Sequence, residues 1–204
     1  MGWASAGLTA WLQSVEDDAG KRSAAPLLRR RLLPDPIVQA ISALVWAALA
    51  VCLTGGWLRW TEAGLVAVPL IQVAVTDFRT RYVYTVIAWL GTALGLALGW
   101  QVHGEQWWTS LAGAAGGFVA FGALYLLGRL IYRGRVEAMA RGDITIAAMV
   151  GAGSAACTPQ ALFLGVLTGG VLATGVLIAR RSRQGFMPYG PGLCLGGLAT
   201  LFWC

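Results

Sequence analysis

The chain has 204 residues, of which 57% are hydrophobic and 12% charged, with a mean hydropathy of +0.67. Soluble domains carry about 25% charged residues, so this composition excludes a soluble globular domain and indicates an integral membrane protein. The net charge of +6 does not indicate nucleic acid as a partner, because the basic residues lie between apolar runs rather than in one patch.

Residues 1–35 form a polar extension, expected on the cytoplasmic side. Within it "GLTAWLQSVEDDAG" has the pattern of a short amphipathic helix, and "SAAPLLRRRLLPDP" reads as a linker with a basic cluster, Arg29 to Arg31, suited to anionic lipid. The first apolar run starts too far into the sequence, and is too long, for a secretory signal.

Seven apolar segments follow, at roughly 36–57, 60–76, 82–100, 107–131, 144–158, 160–179 and 187–204. A membrane-spanning helix needs about 20 apolar residues. Most segments meet this; the second and fifth are short, and each is bounded by an aspartate. The expected fold is therefore an all-α membrane bundle of about seven spans over residues 36–204. Glycines recur every fourth residue at Gly91, Gly95 and Gly99, at Gly113 and Gly117, at Gly165 and Gly169, and at Gly192 and Gly196. Such faces let helix backbones approach closely, so the bundle is expected to be tight.

Lys and Arg set the expected orientation. Lys21, Arg22 and Arg29 to Arg31 precede the first span. Arg79 and Arg81 follow the second. Arg129, Arg133, Arg135 and Arg141 follow the fourth, and Arg180, Arg181 and Arg183 follow the sixth. These are alternate boundaries, and only Arg59 falls on the opposite side. The N-terminus is accordingly expected in the cytoplasm, with Trp57, Trp60, Trp100, Trp107, Trp108 and Trp203 at the outer interface, where aromatic belts sit.

The same topology puts Asp77 and Asp143, 66 positions apart, at one depth on the cytoplasmic side. Asp35 precedes the first span, Glu62 and Glu105 are external, and Glu137 is in a loop. Ionisable groups at membrane depth face a bundle interior or a water-filled cavity. Structural roles are open to both: Asp143 suits a helix N-cap, and Asp77 has Arg79 and Arg81 nearby. The catalytic role is an aspartyl dyad, in which two close carboxylates share a proton, one activating water and the other protonating a scissile carbonyl. Such a dyad needs no cofactor or metal, and with His103 the only histidine and no C-x-x-C pair, no metal site is expected. Cys52, Cys157, Cys194 and Cys204 are read as small buried hydrophobes rather than a disulfide framework.

Three stretches resemble the type IV prepilin peptidases, membrane aspartyl proteases of the Gly-x-Gly-Asp type. "VTDFRTRYV" resembles the first-aspartate motif, "ARGDITIAAMVGAG" the Gly-x-Gly-Asp motif, and "MPYGPGLCLGG" the last-helix motif. The resemblance covers about residues 60–204. It implies Asp77 and Asp143 as the catalytic pair, supported by Gly142, Arg141 and Ala140. It further implies a prepilin-like or pseudopilin substrate, with a basic leader and a hydrophobic helix, cut at the cytoplasmic face of the cell membrane. Three positions depart from the pattern: Ala140 replaces the first glycine, Thr145 a frequent lysine, and Tyr84 a proline. Larger members add a cytoplasmic insertion with paired cysteines and an N-methyltransferase activity; neither is expected of this chain. Pro188, Tyr189, Gly190 and Pro191 are candidates for a substrate groove that pairs with an extended cleavage segment, or for a plain helix start with proline in its first turn.

Two other functions fit part of the pattern. Ser154 with His103 would make a serine protease of the rhomboid type. A non-catalytic transporter or secretion-system scaffold would also hold intramembrane acids.

Overall fold

Residues 36–52, 56–80, 85–131, 140–180 and 189–204 are described in the computed structural model of the chain. The expected features over residues 1–35, the loop residues Arg81, Tyr84, Arg133, Arg135, Glu137, Arg181 and Arg183, and the motif residue Pro188 lie outside them. The described residues form the helices α1 (Pro36–Cys52), α2 (Gly56–Thr80), α3 (Thr85–His103), α4 (Trp107–Ile131), α5 (Arg141–Ser154), α6 (Thr158–Arg180) and α7 (Gly190–Trp203). A 3-10 turn, Ala155–Cys157, joins α5 to α6, and no strand occurs among the described residues.

Among the described residues, four stretches are long and apolar enough to cross a membrane: Trp57–Phe78, Thr85–His103, Trp107–Ile131 and Arg141–Gly175. The exterior departs from the soluble pattern, and the largely apolar interior also holds polar groups. Phe118, Leu126, Leu130, Phe163 and Val171 are exposed, while Gln72, Asp77, Thr92, Ser110, Asp143, Ser154, Thr158 and Thr200 are buried. An apolar exterior around a partly polar interior fits lipid as the surrounding solvent.

The helices alternate in direction. Gly95 and Gly99 of α3 meet Ala152 and Gly153, and Gly91 meets Met149, so α3 runs parallel to α5. Gly113 of α4 meets Gly151, and Gly117 meets Ala147, so α4 runs antiparallel to α5. Val150 of α5 packs on Gly197, and Ser154 Oγ lies 2.9 Å from Thr200 Oγ1, which makes α5 and α7 parallel. Gly165 of α6 faces Leu193, and Gly196 faces Ala161, which makes α6 and α7 antiparallel. The stretch Arg141–Gly175 is therefore not one rod but a hairpin of α5 and α6.

The hairpin corrects the expected break. The sequence places it at Pro159; the chain turns earlier, at Ala155, which has φ 48°. Pro159 instead occupies the first turn of α6, where its missing N–H has no helical partner to lose. The second span is also longer than expected. α2 has 25 residues and continues to Thr80, so Asp77 lies inside the helix rather than at its end. The fifth is short as expected: 14 residues make about 21 Å, against about 30 Å for the hydrocarbon core.

α5 is the centre of the bundle, buried from Ile146 to Ser154. The repeated glycines explain how α3 and α4 reach it. A Cβ on Gly113 would strike Gly151 O, one on Gly117 would strike Ala147 O, and one on Gly99 would strike Ala152 O. Gly116, Gly122, Gly170 and Gly175, which lie off the repeats, have nothing within 4 Å of a built Cβ. α1 docks at the periphery. Trp46 covers Gly64 and meets Trp60 edge-to-face at 4.8 Å, and Trp60 Nε1 donates to Trp46 O at 3.3 Å.

The end of the bundle remote from Asp77 and Asp143 carries exposed Trp57, Trp107, Trp108 and Trp203 and half-buried Trp60 and Trp100. It also carries a disulfide, Cys157–Cys204, with a Cα separation of 6.5 Å. This corrects the reading of all four cysteines as buried hydrophobes. That reading fits Cys194, which is free and buried, but spacing in sequence does not reveal that the α5–α6 turn and the end of α7 meet.

Candidate active site

Three helices bring the site together through one crossing. Leu70 of α2 and Val150 of α5 both pack against Gly197 of α7. From that point Asp77 lies seven residues along α2, Asp143 seven residues back along α5, and Gly190 seven residues back along α7. Seven residues is two helical turns, which returns a side chain to nearly the same face about 10.5 Å away. The faces that meet at Gly197 therefore meet again at the level of the two aspartates.

Both acids are withdrawn from the surface, Asp77 at 3% exposure and Asp143 at 4%. Cys194, also buried, lies one turn above Gly190 on α7. Gly190 is pressed against Asp77: a Cβ there would strike Asp77 Oδ2 and come within 2.9 Å of Ile146 Cδ1. Asp77 Oδ2 has no hydrogen-bond partner among the described residues. A buried carboxylate oxygen left unpaired in a bundle interior is costly, and it is the atom turned toward Gly190.

Asp143 is not the cap of α5. The N-cap is Ala140, with φ −76° and ψ 146°, and Asp143 is the third helical residue. Ala140 has no side-chain acceptor, and no side-chain cap bond forms at this helix start. Thr145 Oγ1 donates to Gly142 O at 2.7 Å. Arg141 is exposed, and its Nε donates to Tyr125 Oη at 3.3 Å.

Of the remaining candidates, Gly190 and Pro191 are buried and Tyr189 is half-buried against Gly169. Tyr189 is the N-cap of α7 and Pro191 lies in its first turn, so the helix-start reading of this stretch holds. Cys194 and Ile146 wall the site and were not singled out from sequence; the signal for Cys194 is its place four residues after Gly190, on the same face. The Ser154–His103 pairing does not form. The Ser154 hydroxyl is bonded to Thr200, and His103 Nε2 lies 3.1 Å from Gly153 O. No group of three or more metal-ligating side chains occurs among the described residues.

The fold and site define a class: a helical membrane protein with two buried carboxylates, from distant parts of the chain, near one end of the bundle. Residues 64–177 match the model of the Type IV leader peptidase family, and the chain belongs to that family of aspartic peptidases. It is similar to the "Prepilin leader peptidase/N-methyltransferase" of Aeromonas salmonicida (strain A449), 28% identical over 177 residues. That match takes in 82% of this chain and 57% of the relative. The protein of the same name from Aeromonas hydrophila is likewise 28% identical over 177 residues, covering 82% of this chain and 58% of the relative. The chain thus spans less than two thirds of the length of these curated relatives. No solved structure matches the chain.

Proposed function

We propose that the chain is a membrane aspartic endopeptidase that removes the basic leader from prepilin-like or pseudopilin substrates, with Asp77 and Asp143 as its catalytic pair. The observation that supports this reading is the burial of two carboxylates, each seven residues from the same three-helix crossing, with Asp77 Oδ2 unpaired among the described residues and beside a glycine.

The chemistry follows from the pair. Two carboxylates at close range in a water-poor site hold one proton between them. The ionised member takes a proton from water, and the resulting hydroxide equivalent attacks the scissile carbonyl carbon. The protonated member gives its proton to the carbonyl oxygen. Collapse of the tetrahedral intermediate breaks the C–N bond, and the amine leaves with a proton from the pair. Gly190 borders this position, and the stretch Pro188, Tyr189, Gly190 and Pro191 is the proposed docking strip for an extended cleavage segment.

The proposed topology has seven spans, with the aspartates at the cytoplasmic face. Two independent features support it. The basic residues gather at alternate boundaries, and the disulfide lies at the opposite end, as befits an oxidising exterior. For these 204 residues we propose cleavage without methyl transfer, since no C-x-x-C pair occurs among them.

The test is cleavage of a candidate prepilin by purified protein in detergent or lipid discs, with product mass read for added methyl groups. A cut before the hydrophobic helix and an unmethylated new N-terminus are expected. If no prepilin-like substrate is cut, the transporter or scaffold reading takes its place.

A further inference from the structure

α5 and α7 carry the site at their first turns, yet neither first turn is held by a capping side chain: Ala140 and Tyr189 make no side-chain cap bond. The bonds that tie these helices lie at their far ends. Ser154 Oγ of α5 and Thr200 Oγ1 of α7 are 2.9 Å apart. The Ala156 N–H, in the turn after α5, donates to Glu105 Oε2 at 3.1 Å. Thr158 Oγ1 donates to Gly151 O and Ala155 O, and His103 reaches Gly153 O. Cys157, one residue past Ala156, is bonded to Cys204 at the end of α7. The turn so tied is the one with Ala155 at φ 48°, a backbone conformation that persists only where its surroundings enforce it.

The two helices are parallel rods, and α5 is only 14 residues long. A rod transmits displacement along its length. A shift of α5 against α7 at the disulfide is therefore a shift of Asp143 against Gly190, and Gly190 is in contact with Asp77.

We propose that the Cys157–Cys204 disulfide acts as a positioning clamp, with Glu105 holding the turn that carries Cys157: by fixing α5 against α7 at the outer end of the bundle, it sets the spacing of Asp77 and Asp143 at the other end. The catalytic part of this inference rests on the function proposed above; the mechanical part does not. Cys157 is half-buried and Cys204 exposed, so a dithiol reductant reaches the bond. Two electrons and two protons pass from the reagent to the disulfide, giving two thiols, while the reagent closes to its own cyclic disulfide.

The test compares oxidised protein, dithiothreitol-reduced protein and the double variant Cys157→Ser/Cys204→Ser by amide hydrogen exchange in lipid discs. Opening the clamp is expected to raise exchange about tenfold at Ile146, Ala147 and Cys194, two or more turns from the bond, because exchange reports local opening. A rise confined to residues 153–159 and 203–204 overturns the proposal, and this readout stands whether or not a substrate is found. If the double variant does not fold, the reduced wild type supplies the comparison. Where cleavage is measurable, kcat is expected to fall about tenfold with KM within about twofold, as misplacement of reacting groups does. The spacing of the two limbs of the pH–rate profile is expected to change as well, which loss of folded protein alone would not cause. Glu105→Ala is expected to show the same effects in weaker form. Glu105→Gln, whose amide oxygen still accepts from Ala156, is expected to restore wild-type behaviour. Unaltered exchange at the distant amides together with an unaltered profile would refute the clamp.

Discussion

Gly190 is the residue at which the site dictates the amino acid. Its Cβ position is taken up by Asp77 Oδ2, so Gly190→Ala displaces the Asp77 carboxylate. A displacement of about 1 Å in a reacting group costs up to about a hundredfold in rate, and Gly190→Ala is expected to lower kcat by at least tenfold in a prepilin cleavage assay. Gly192 meets the backbone of Gly169 and Gly165 instead. Gly192→Ala is therefore expected to lower thermal stability with a smaller effect on kcat per folded molecule. Ala140 is the opposite case. It replaces a glycine of the motif, but its φ of −76° is open to any residue. Ala140→Gly is expected to change kcat/KM by less than about threefold, because no strained backbone is relieved. The two aspartates are legible in sequence as acids bounding apolar runs. The contact of Asp77 with Gly190 is not, because it depends on where three helices cross.

At the scale of elements, glycine spacing says which faces pack but not what they pack against. The repeats in α3 and α4 both meet α5, and those in α6 and α7 meet each other. The consequence is a sharp contrast on α4. Gly117→Leu drives a side chain into the Ala147 carbonyl and is expected to destabilise by roughly 1–3 kcal/mol or more, the usual range for overpacking. Gly116→Leu faces open space and is expected to be near neutral in thermal unfolding followed in the same detergent. The hairpin of α5 and α6 is the element that sequence located least well. Proline reads as a helix breaker, yet in a first turn it is a helix starter, and the break falls at Ala155, whose side chain gives no sign of it. The Cys157–Cys204 bond was hidden for the same reason: a pairing across elements becomes visible only once the reversal at Ala155 is known.

At the scale of the whole molecule, the alternating helix directions put the described ends of the basic loops at the aspartate end and the exposed tryptophans and disulfide at the other. Charge alternation alone suggests this arrangement, because orientation is written in loop composition rather than in packing. With Cys52 and Cys194 replaced, Gln106→Cys is expected to react with a membrane-impermeant maleimide added outside intact cells. Gly134→Cys is expected to react only after the membrane is opened. The reverse labelling would invert the topology and move the aspartates to the outer face. The central claim is that Asp77 and Asp143 work as one catalytic pair, and cleavage by Asp77→Asn and Asp143→Asn measures it most directly. Each substitution keeps the side-chain shape and removes an acid–base group worth about 10²–10⁴ in rate. Each alone is expected to abolish detectable cleavage, and the double variant to be no worse than either, as groups that act as a unit behave. A single variant that cleaves at the wild-type rate, with its fold intact, would contradict the account.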